Sequence, residues 1–171
     1  MADNQAEVEP VAFGERLASS QAFSGLFREG MALVEETAAY LDGLGRNESK
    51  HLERGAALAY ATESMRLTTR LMQLASWLLL HRAVNEGEMS LAQANREKSK
   101  VKLAGGDLRD EATLGLLPKT LRELIGRSNR LQERIRRLDA TIHSPTAVTS
   151  AANPVERQLG LLKAAFEAPR D

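Results

Sequence analysis

The chain contains no cysteine, few aromatic residues and no excess of charge of either sign. Without cysteine it can form no disulfide, no thiolate zinc site and no cysteine nucleophile. Its 23 Lys+Arg residues balance its 23 Asp+Glu residues, which argues against a uniformly basic nucleic-acid binder. An aromatic content of 4%, together with long stretches rich in Ala, Leu, Arg and Glu, favours helix over strand.

Long apolar runs and export signals are also lacking. Runs of large apolar side chains, such as Trp77 to Leu80, are far shorter than the ~20 residues that a membrane-spanning helix needs. The first ten residues are acidic and polar, the opposite of a basic secretory leader. We therefore expect a cytoplasmic protein, and the length of 171 residues suits one domain with a modest core.

Helical periodicity dominates the rest of the sequence and predicts three main helices. The first runs from Gln21 to Leu41, with Gly43 and Gly45 as stop signals. The second and longest runs from Ser49 to Asn85 without an interrupting proline. The third starts at Pro118, a residue favoured in a first helical turn, and continues to Ile142.

The remaining segments complete the predicted organisation. A capping-box pattern opens a short helix over 91–103, and 105–117 is predicted to be a loop. We expect a mobile acidic arm at 1–18, a helical bundle domain at 19–142 and a flexible tail at 143–171. The predicted fold is all-α: an antiparallel three-helix bundle with a short extra helix and a flexible C-terminal tail.

The long helix carries two apolar stripes instead of one. The first comprises Tyr60, Leu67, Leu71, Leu74 and Leu78, and the second comprises Met65, Met72, Ala75 and Leu79. Helices of the same chain can cover one of these faces. The other needs a different cover, and a second copy of the protein is the simplest candidate. The predicted homodimer interface consists of Leu71, Met72, Ala75, Trp77 and Leu79. Trp77 is equally expected in the core of the chain, with an exposed anchor for a partner as the weaker alternative.

The third helix combines a heptad seam with many arginines. The seam has one polar position, Ser128, and its members are Leu121, Leu124, Ser128, Leu131, Ile135, Leu138 and Ile142. Three interpretations of the basic face are open. A solvated surface is preferred to a site for an acidic protein partner, and both are preferred to a nucleic-acid site. The last alternative is weak because the seam builds the helix into a bundle, with no helix-turn-helix arrangement. The candidate partner-binding residues are Arg127, Arg130, Arg134 and Arg137.

The tail holds one further amphipathic segment. Asn153-Pro154-Val155-Glu156 has the pattern of a helix start. After it, Val155, Leu159, Leu162 and Phe166 share one face of a helix of about 13 residues. A helix this short is marginal alone, so we expect it to dock on its own domain or on a partner.

Candidate catalytic and metal-binding residues are scarce. Glu48-x-x-His51 matches half of the carboxylate–histidine pattern of di-iron bundles, but the chain has no second copy of it. Phosphate-loop, nucleophile-elbow and zinc-protease motifs are absent from the sequence. We therefore predict no catalytic, cofactor-binding or metal-ligating residue, and a binding protein instead of an enzyme.

Three polar features of the helices are assigned structural roles. Glu63, with Arg66 at i+3 and Arg70 at i+7, is expected to form surface ion pairs, with a polar contact site for a partner as the alternative. His81 is expected at a helix surface or an interface. His143, at a helix end, would complement the helix dipole.

The neutral total hides an uneven distribution of charge. Residues 1–48 carry nine acids and three bases, a net charge of −6, whereas residues 118–142 carry seven bases and three acids, a net charge of +4. Oppositely charged patches of this kind favour electrostatic steering between proteins.

Three stretches of the sequence have a distinctive pattern: residues 26–43, residues 58–88 and residues 97–103. The second of them contains the run Met-Arg-Leu-Thr-Thr-Arg-Leu-Met-Gln-Leu-Ala-Ser-Trp. Together they resemble a small family of alphaproteobacterial proteins, the RcdA family (DUF1465). The resemblance covers roughly residues 15–140. The acidic arm and the tail are not diagnostic.

The resemblance implies a dimeric three-helix bundle that acts as a non-enzymatic adaptor for the ATP-dependent protease ClpXP. It further implies that the protease is primed by the response regulator CpdR, that cell-cycle regulators such as CtrA are delivered for degradation, and that the adaptor localises to the cell pole. In this family a flexible C-terminal extension is implicated in function.

Overall fold

The computed structural model describes residues 21–98 and 111–143, and within them there is no strand. Six helices make up this part of the chain. They are α1 (Gln21–Asp42), α2 (Leu44–Ser49), α3 (Arg54–Asn85), α4 (Leu91–Lys98), α5 (Glu111–Gly115) and α6 (Lys119–His143). The predicted all-α bundle is confirmed.

The core lies between α1, α3 and α6. The seam predicted on the last helix is buried there: Leu121, Leu131 and Ile135 are completely covered. From α1 and α3 it receives Phe23, Leu26, Leu33, Leu67, Leu71, Leu74, Trp77 and Leu78. Burial of these side chains is the main favourable contribution to folding, at about 1.5–3 kcal/mol for each large one.

Contacts between the helices fix their directions. Glu29 pairs with Arg134 and Glu36 pairs with Arg127, so α1 and α6 are antiparallel. Arg70 and Trp77 of α3 contact Ser128 and Asp139 of α6, so those two helices run in the same direction. Residues 86–118, which include α4 and α5, connect the end of α3 to the start of α6.

The long helix starts later than predicted. Ser49 ends α2, and α3 begins at Arg54. Glu53 precedes it with φ −62° and ψ 157°, an extended backbone typical of a residue before a helix. The stop signal at Gly43 is confirmed by the end of α1 at Asp42, but Gly45 lies inside α2.

A tyrosine cluster explains why the chain turns at this point. The Tyr40 hydroxyl donates a hydrogen bond of 2.7 Å to Glu48 Oε2. Gly45 is buried so closely that a Cβ atom would lie 2.6 Å from Tyr60 Oη and 2.7 Å from the Tyr40 ring. Burial raises the pKa of both tyrosines, and for Tyr40 the carboxylate of Glu48 adds to this effect. The cluster therefore holds α2 against the end of the bundle.

The segment between α3 and α6 differs in part from the prediction. The capping box is confirmed: the Ser90 backbone N donates to Gln93 Oε1 at 2.9 Å, and the Gln93 backbone N donates to Ser90 Oγ at 3.2 Å. The loop predicted over 105–117 contains α5, whose Leu114 packs against the core. Five residues are too few for a periodic pattern to reveal a helix.

Candidate interaction surfaces

One line of apolar side chains on α3 faces away from the bundle. Leu58, Met65, Met72 and Leu79 recur every seven residues and are 70%, 72%, 66% and 53% exposed. We call them the α3 stripe. A seven-residue repeat keeps side chains along one side of a helix, so the stripe forms a continuous surface without cover from the described part of the chain.

The structure divides the predicted dimer residues into two groups. Met72 and Leu79 belong to the α3 stripe, and Ala75 is half-buried beside them. Leu71 and Trp77 are 4% and 1% exposed and belong to the core of the chain itself. Those two side chains therefore offer almost no surface to a second molecule.

A groove between α1 and α3 runs beside the stripe. It encloses about 290 Å³ and is mainly apolar. Its walls are formed by Val34, Thr37, Ala38, Leu41, Asp42, Thr68, Leu71, Met72 and Ala75. Four of the six exposed large apolar side chains among the described residues thus lie on α3, beside this groove.

On α6, the candidate arginines have different surroundings. Arg127 pairs with Glu36 and Arg134 pairs with Glu29, each at 2.6 Å. Arg137 Nε lies 3.4 Å from Glu133 Oε1 in its own helix. Arg130 is exposed, and it has no ion pair within the described residues. Two of the four predicted partner-binding arginines thus already tie α6 to α1.

The remaining predicted partner-binding residues, Val155, Leu159, Leu162 and Phe166, lie outside the described residues. The same is true of the predicted acidic arm. The side chain of His143 is likewise outside them, although its backbone ends α6.

The prediction for His81 was wrong, because its side chain is completely buried. Its ring stacks on Trp77 with the centroids 3.9 Å apart, and Nδ1 donates to the Trp77 carbonyl oxygen at 3.0 Å. Trp77 Nε1 in turn donates to Asp139 Oδ1 at 2.8 Å, and Lys98 pairs with Oδ2 of the same carboxylate. This cluster connects α3, α4 and α6.

Glu63 and Arg70 are also buried, at 2% and 8% exposure, so the surface position expected for them was wrong, although the expected Glu63–Arg66 ion pair forms. Glu63 Oε1 accepts from Arg66 at 2.8 Å, and Arg70 donates to Ser128 Oγ at 3.0 Å. Ser128, the one polar position of the α6 seam, therefore lies opposite a buried arginine. The spacing of Glu63 and Arg70 from Leu67 and Leu74 could have revealed that both lie on the core face.

The half di-iron pattern has a local structural role. Glu48 is bound by Tyr40, and the exposed His51 donates from Nδ1 to the Asn47 carbonyl oxygen at 2.9 Å. Across residues 21–98 and 111–143, no three His, Cys, Asp or Glu side chains are grouped so that they could hold a metal ion.

No helix in the described part of the chain is both long enough and apolar enough to span a membrane.

Comparison with known proteins decides the family. The family model described as "Protein of unknown function (DUF1465)" matches residues 14–166. The chain belongs to the DUF1465 family. The match extends beyond the predicted range of 15–140 and includes most of the tail, so the family pattern continues past α6.

A solved structure agrees with this assignment. The crystal structure of RcdA from Caulobacter crescentus CB15 is similar to this DUF1465 chain, with 52% sequence identity and a TM-score of 0.64. The similarity covers 77% of this chain and 99% of that one. The predicted resemblance to the RcdA family is confirmed. Among curated proteins, none matches the chain.

Proposed function

We propose that this protein is a non-enzymatic adaptor that helps deliver cell-cycle regulatory proteins to the ClpXP protease. The observation that carries the proposal is the 52% identity to RcdA over 99% of the RcdA chain. By the same resemblance, a CpdR-like response regulator primes the protease, CtrA is a cargo, and the adaptor acts at the cell pole.

The surfaces of the bundle suit this role. An adaptor must hold two proteins at once, because joining two contacts raises the effective concentration of one near the other. The bundle presents an apolar face on α3 and a basic face on α6, and these differ in chemistry. Distinct partners can therefore recognise distinct sides of one rigid body.

We further propose that two copies associate through the α3 stripe. Exposed Leu and Met side chains at seven-residue spacing are the pattern by which helices pair along their length. The groove beside the stripe is lined by Met72 and Ala75 and can receive apolar side chains from the facing helix. The partner of the stripe is thus another copy of this chain, and Met72, Ala75 and Leu79 are central to the contact.

The alternative, a DNA-binding regulator that uses α6, receives less support from the arrangement. A recognition helix must project its basic residues into a groove. Here Arg127 and Arg134 pair with α1, and the opposite face of α6 fills the core. The basic residues that remain are better placed for acidic protein segments.

Measuring the half-life of CtrA in cells tests the proposal. Deleting the gene for this protein is expected to lengthen the half-life severalfold, and the full-length chain should restore it.

A chain that lacks residues 144–171 is expected to fail in this complementation while its melting temperature stays within a few degrees of the full-length value, because the tail serves delivery and not the core. An unchanged half-life in the deletion strain would contradict the proposed function. A large fall in the melting temperature of the truncated chain would show that the tail stabilises the bundle.

A further inference from the structure

The basic residues of α6 are not equally neutralised by the fold. Arg127 and Arg134 pair with acids of α1, and Arg136 and Arg137 lie within 4.0 Å of Glu133. Lys119, at 83% side-chain exposure, has only a 3.8 Å contact with Glu123. Neither of the exposed residues Arg122 and Arg130 lies within ion-pair distance of an acid among the described residues. The outer face of α6 therefore carries positive charge that this part of the chain leaves unbalanced.

Four of these basic residues surround a shallow depression. It measures about 510 Å³ and is lined by Lys119, Arg122, Glu123, Gly126, Arg127 and Arg130. Gly126 lies inside the helix, where glycine is the least favourable residue apart from proline. Packing does not require it, since a Cβ there would make only an ordinary contact, 3.5 Å from the Arg130 guanidinium. We refer to this surface as the α6 basic depression.

The first fifteen residues have the complementary charge. They contain Asp3, Glu7, Glu9 and Glu15 and no Lys or Arg. We propose that this acidic N-terminal segment binds in the α6 basic depression of its own chain.

The segment starts at a place from which it can reach the depression. The pairs Glu29–Arg134 and Glu36–Arg127 put Gln21 level with the end of α6 near residue 142. From there Arg130 is about 18 Å away along the axis, at 1.5 Å per residue. The twelve residue-to-residue steps from Glu9 to Gln21 span up to about 40 Å when the chain is extended. The chain can therefore follow α6 and place its carboxylates beside Arg130 and Arg122.

The strength of the contact favours a tethered occupant. Exposed ion pairs are individually weak and are screened by salt. A few of them hold a free acidic peptide poorly, but attachment to the same chain gives the segment an effective concentration on the order of millimolar. The bound segment would shield the depression from other polyanions. The contact goes beyond the proposed adaptor function and does not depend on it.

The absence of native cysteine allows one spin label to be placed on the full-length chain, at Ala6→Cys. At low salt, NMR is expected to show selective broadening of the backbone amides of residues 119–130. Arg122→Glu with Arg130→Glu should abolish this broadening, and so should 0.5 M salt, where the Debye length is about half of that at physiological ionic strength. The matched control is Arg46→Glu with Arg54→Glu, two exposed residues of α2 and α3 that do not line the depression and give the same charge change, and it should preserve the broadening.

A second measurement tests whether the acidic segment shields the depression from other polyanions, with heparin affinity as the quantity measured. Replacing the four carboxylates (Asp3→Asn, Glu7→Gln, Glu9→Gln and Glu15→Gln) should tighten heparin binding about five- to tenfold, because the depression is then no longer occupied. The gain should vanish in the Arg122→Glu, Arg130→Glu background. The proposal would be overturned if the amides of α6 showed no broadening, or if the broadening survived the charge reversal. It would also be overturned if broadening arose only when spin-labelled and unlabelled copies were mixed, because the contact would then be between two chains. Heparin affinity that is unchanged by neutralising the segment would overturn it as well.

Discussion

Replacing Met72 and Leu79 with glutamate is expected to turn a dimer into a monomer. Both side chains are more than half exposed in the single chain, at 66% and 53%, so the fold tolerates a charge there. In a two-fold symmetric interface each substitution occurs twice, and a carboxylate buried without a partner costs several kcal/mol. The dimer dissociation constant should therefore rise roughly a hundredfold or more, equivalent to about 2.7 kcal/mol.

Light scattering coupled to size exclusion, over a series of concentrations, measures this effect. Leu44→Glu and Leu116→Glu are the matched controls, because these leucines are 59% and 52% exposed but lie outside α3. Both controls should remain dimeric. A wild-type chain that is monomeric at every concentration, or a double variant that still dimerises, would contradict the proposed role of the α3 stripe.

The second large effect is expected at Gly30, where α1 approaches α3. A Cβ at this position would lie 2.4 Å from Leu78 Cδ1 and 3.6 Å from Leu131 Cδ2. Leu78 and Leu131 are completely buried, so neither can move aside cheaply. Gly30→Val is therefore expected to lower the free energy of unfolding by about 3 kcal/mol, the upper range for overpacking of a core.

Gly25 provides the control on the same helix. A Cβ there would meet nothing within 4 Å, so Gly25→Val should change the free energy of unfolding by about 0.5 kcal/mol or less, with any gain arising from helix propensity. Fluorescence of Trp77, the sole tryptophan, reports urea unfolding at one fixed protein concentration. Equal stability of the two valine variants would show that α1 and α3 do not approach as described.

Much of the helical framework could be predicted because its causes are local. The end of α1 before Gly43 and the capping box at Ser90 depend on nearby residues and were predicted correctly. The two stripes of α3 were also separable by their spacing: Leu67 and Leu78 are buried, whereas Met65 and Met72 are exposed.

The errors occurred where distant contacts decide the structure. The break between α2 and α3 depends on the packing of Tyr60 and Tyr40 around Gly45, and residues 50–53 contain neither glycine nor proline to mark it. His81 is polar and adjoins an apolar run, and its burial follows from stacking on Trp77. Periodicity shows which face of a helix a residue lies on, but not which polar group of another helix it contacts.

The candidate surfaces show the same division. Sequence spacing identified Met72 and Leu79 as an extra apolar face, and both are exposed. It could not separate the α6 arginines, since only the pairing of Glu29 and Glu36 with Arg134 and Arg127 shows which ones are neutralised. Charge on a helix face becomes informative only once the acids of neighbouring helices are located.

Reconstituted degradation tests the proposed adaptor function most directly. Purified ClpXP, a CpdR-like response regulator and CtrA are combined with and without this protein, at a CtrA concentration below saturation. The protein is expected to accelerate CtrA degradation severalfold, and the gain should shrink as CtrA approaches saturation, because an adaptor acts by raising local cargo concentration. Degradation of a control substrate that ClpXP recognises without an adaptor should not accelerate. Equal rates of CtrA degradation with and without the protein, while that substrate is degraded normally, would contradict the proposal.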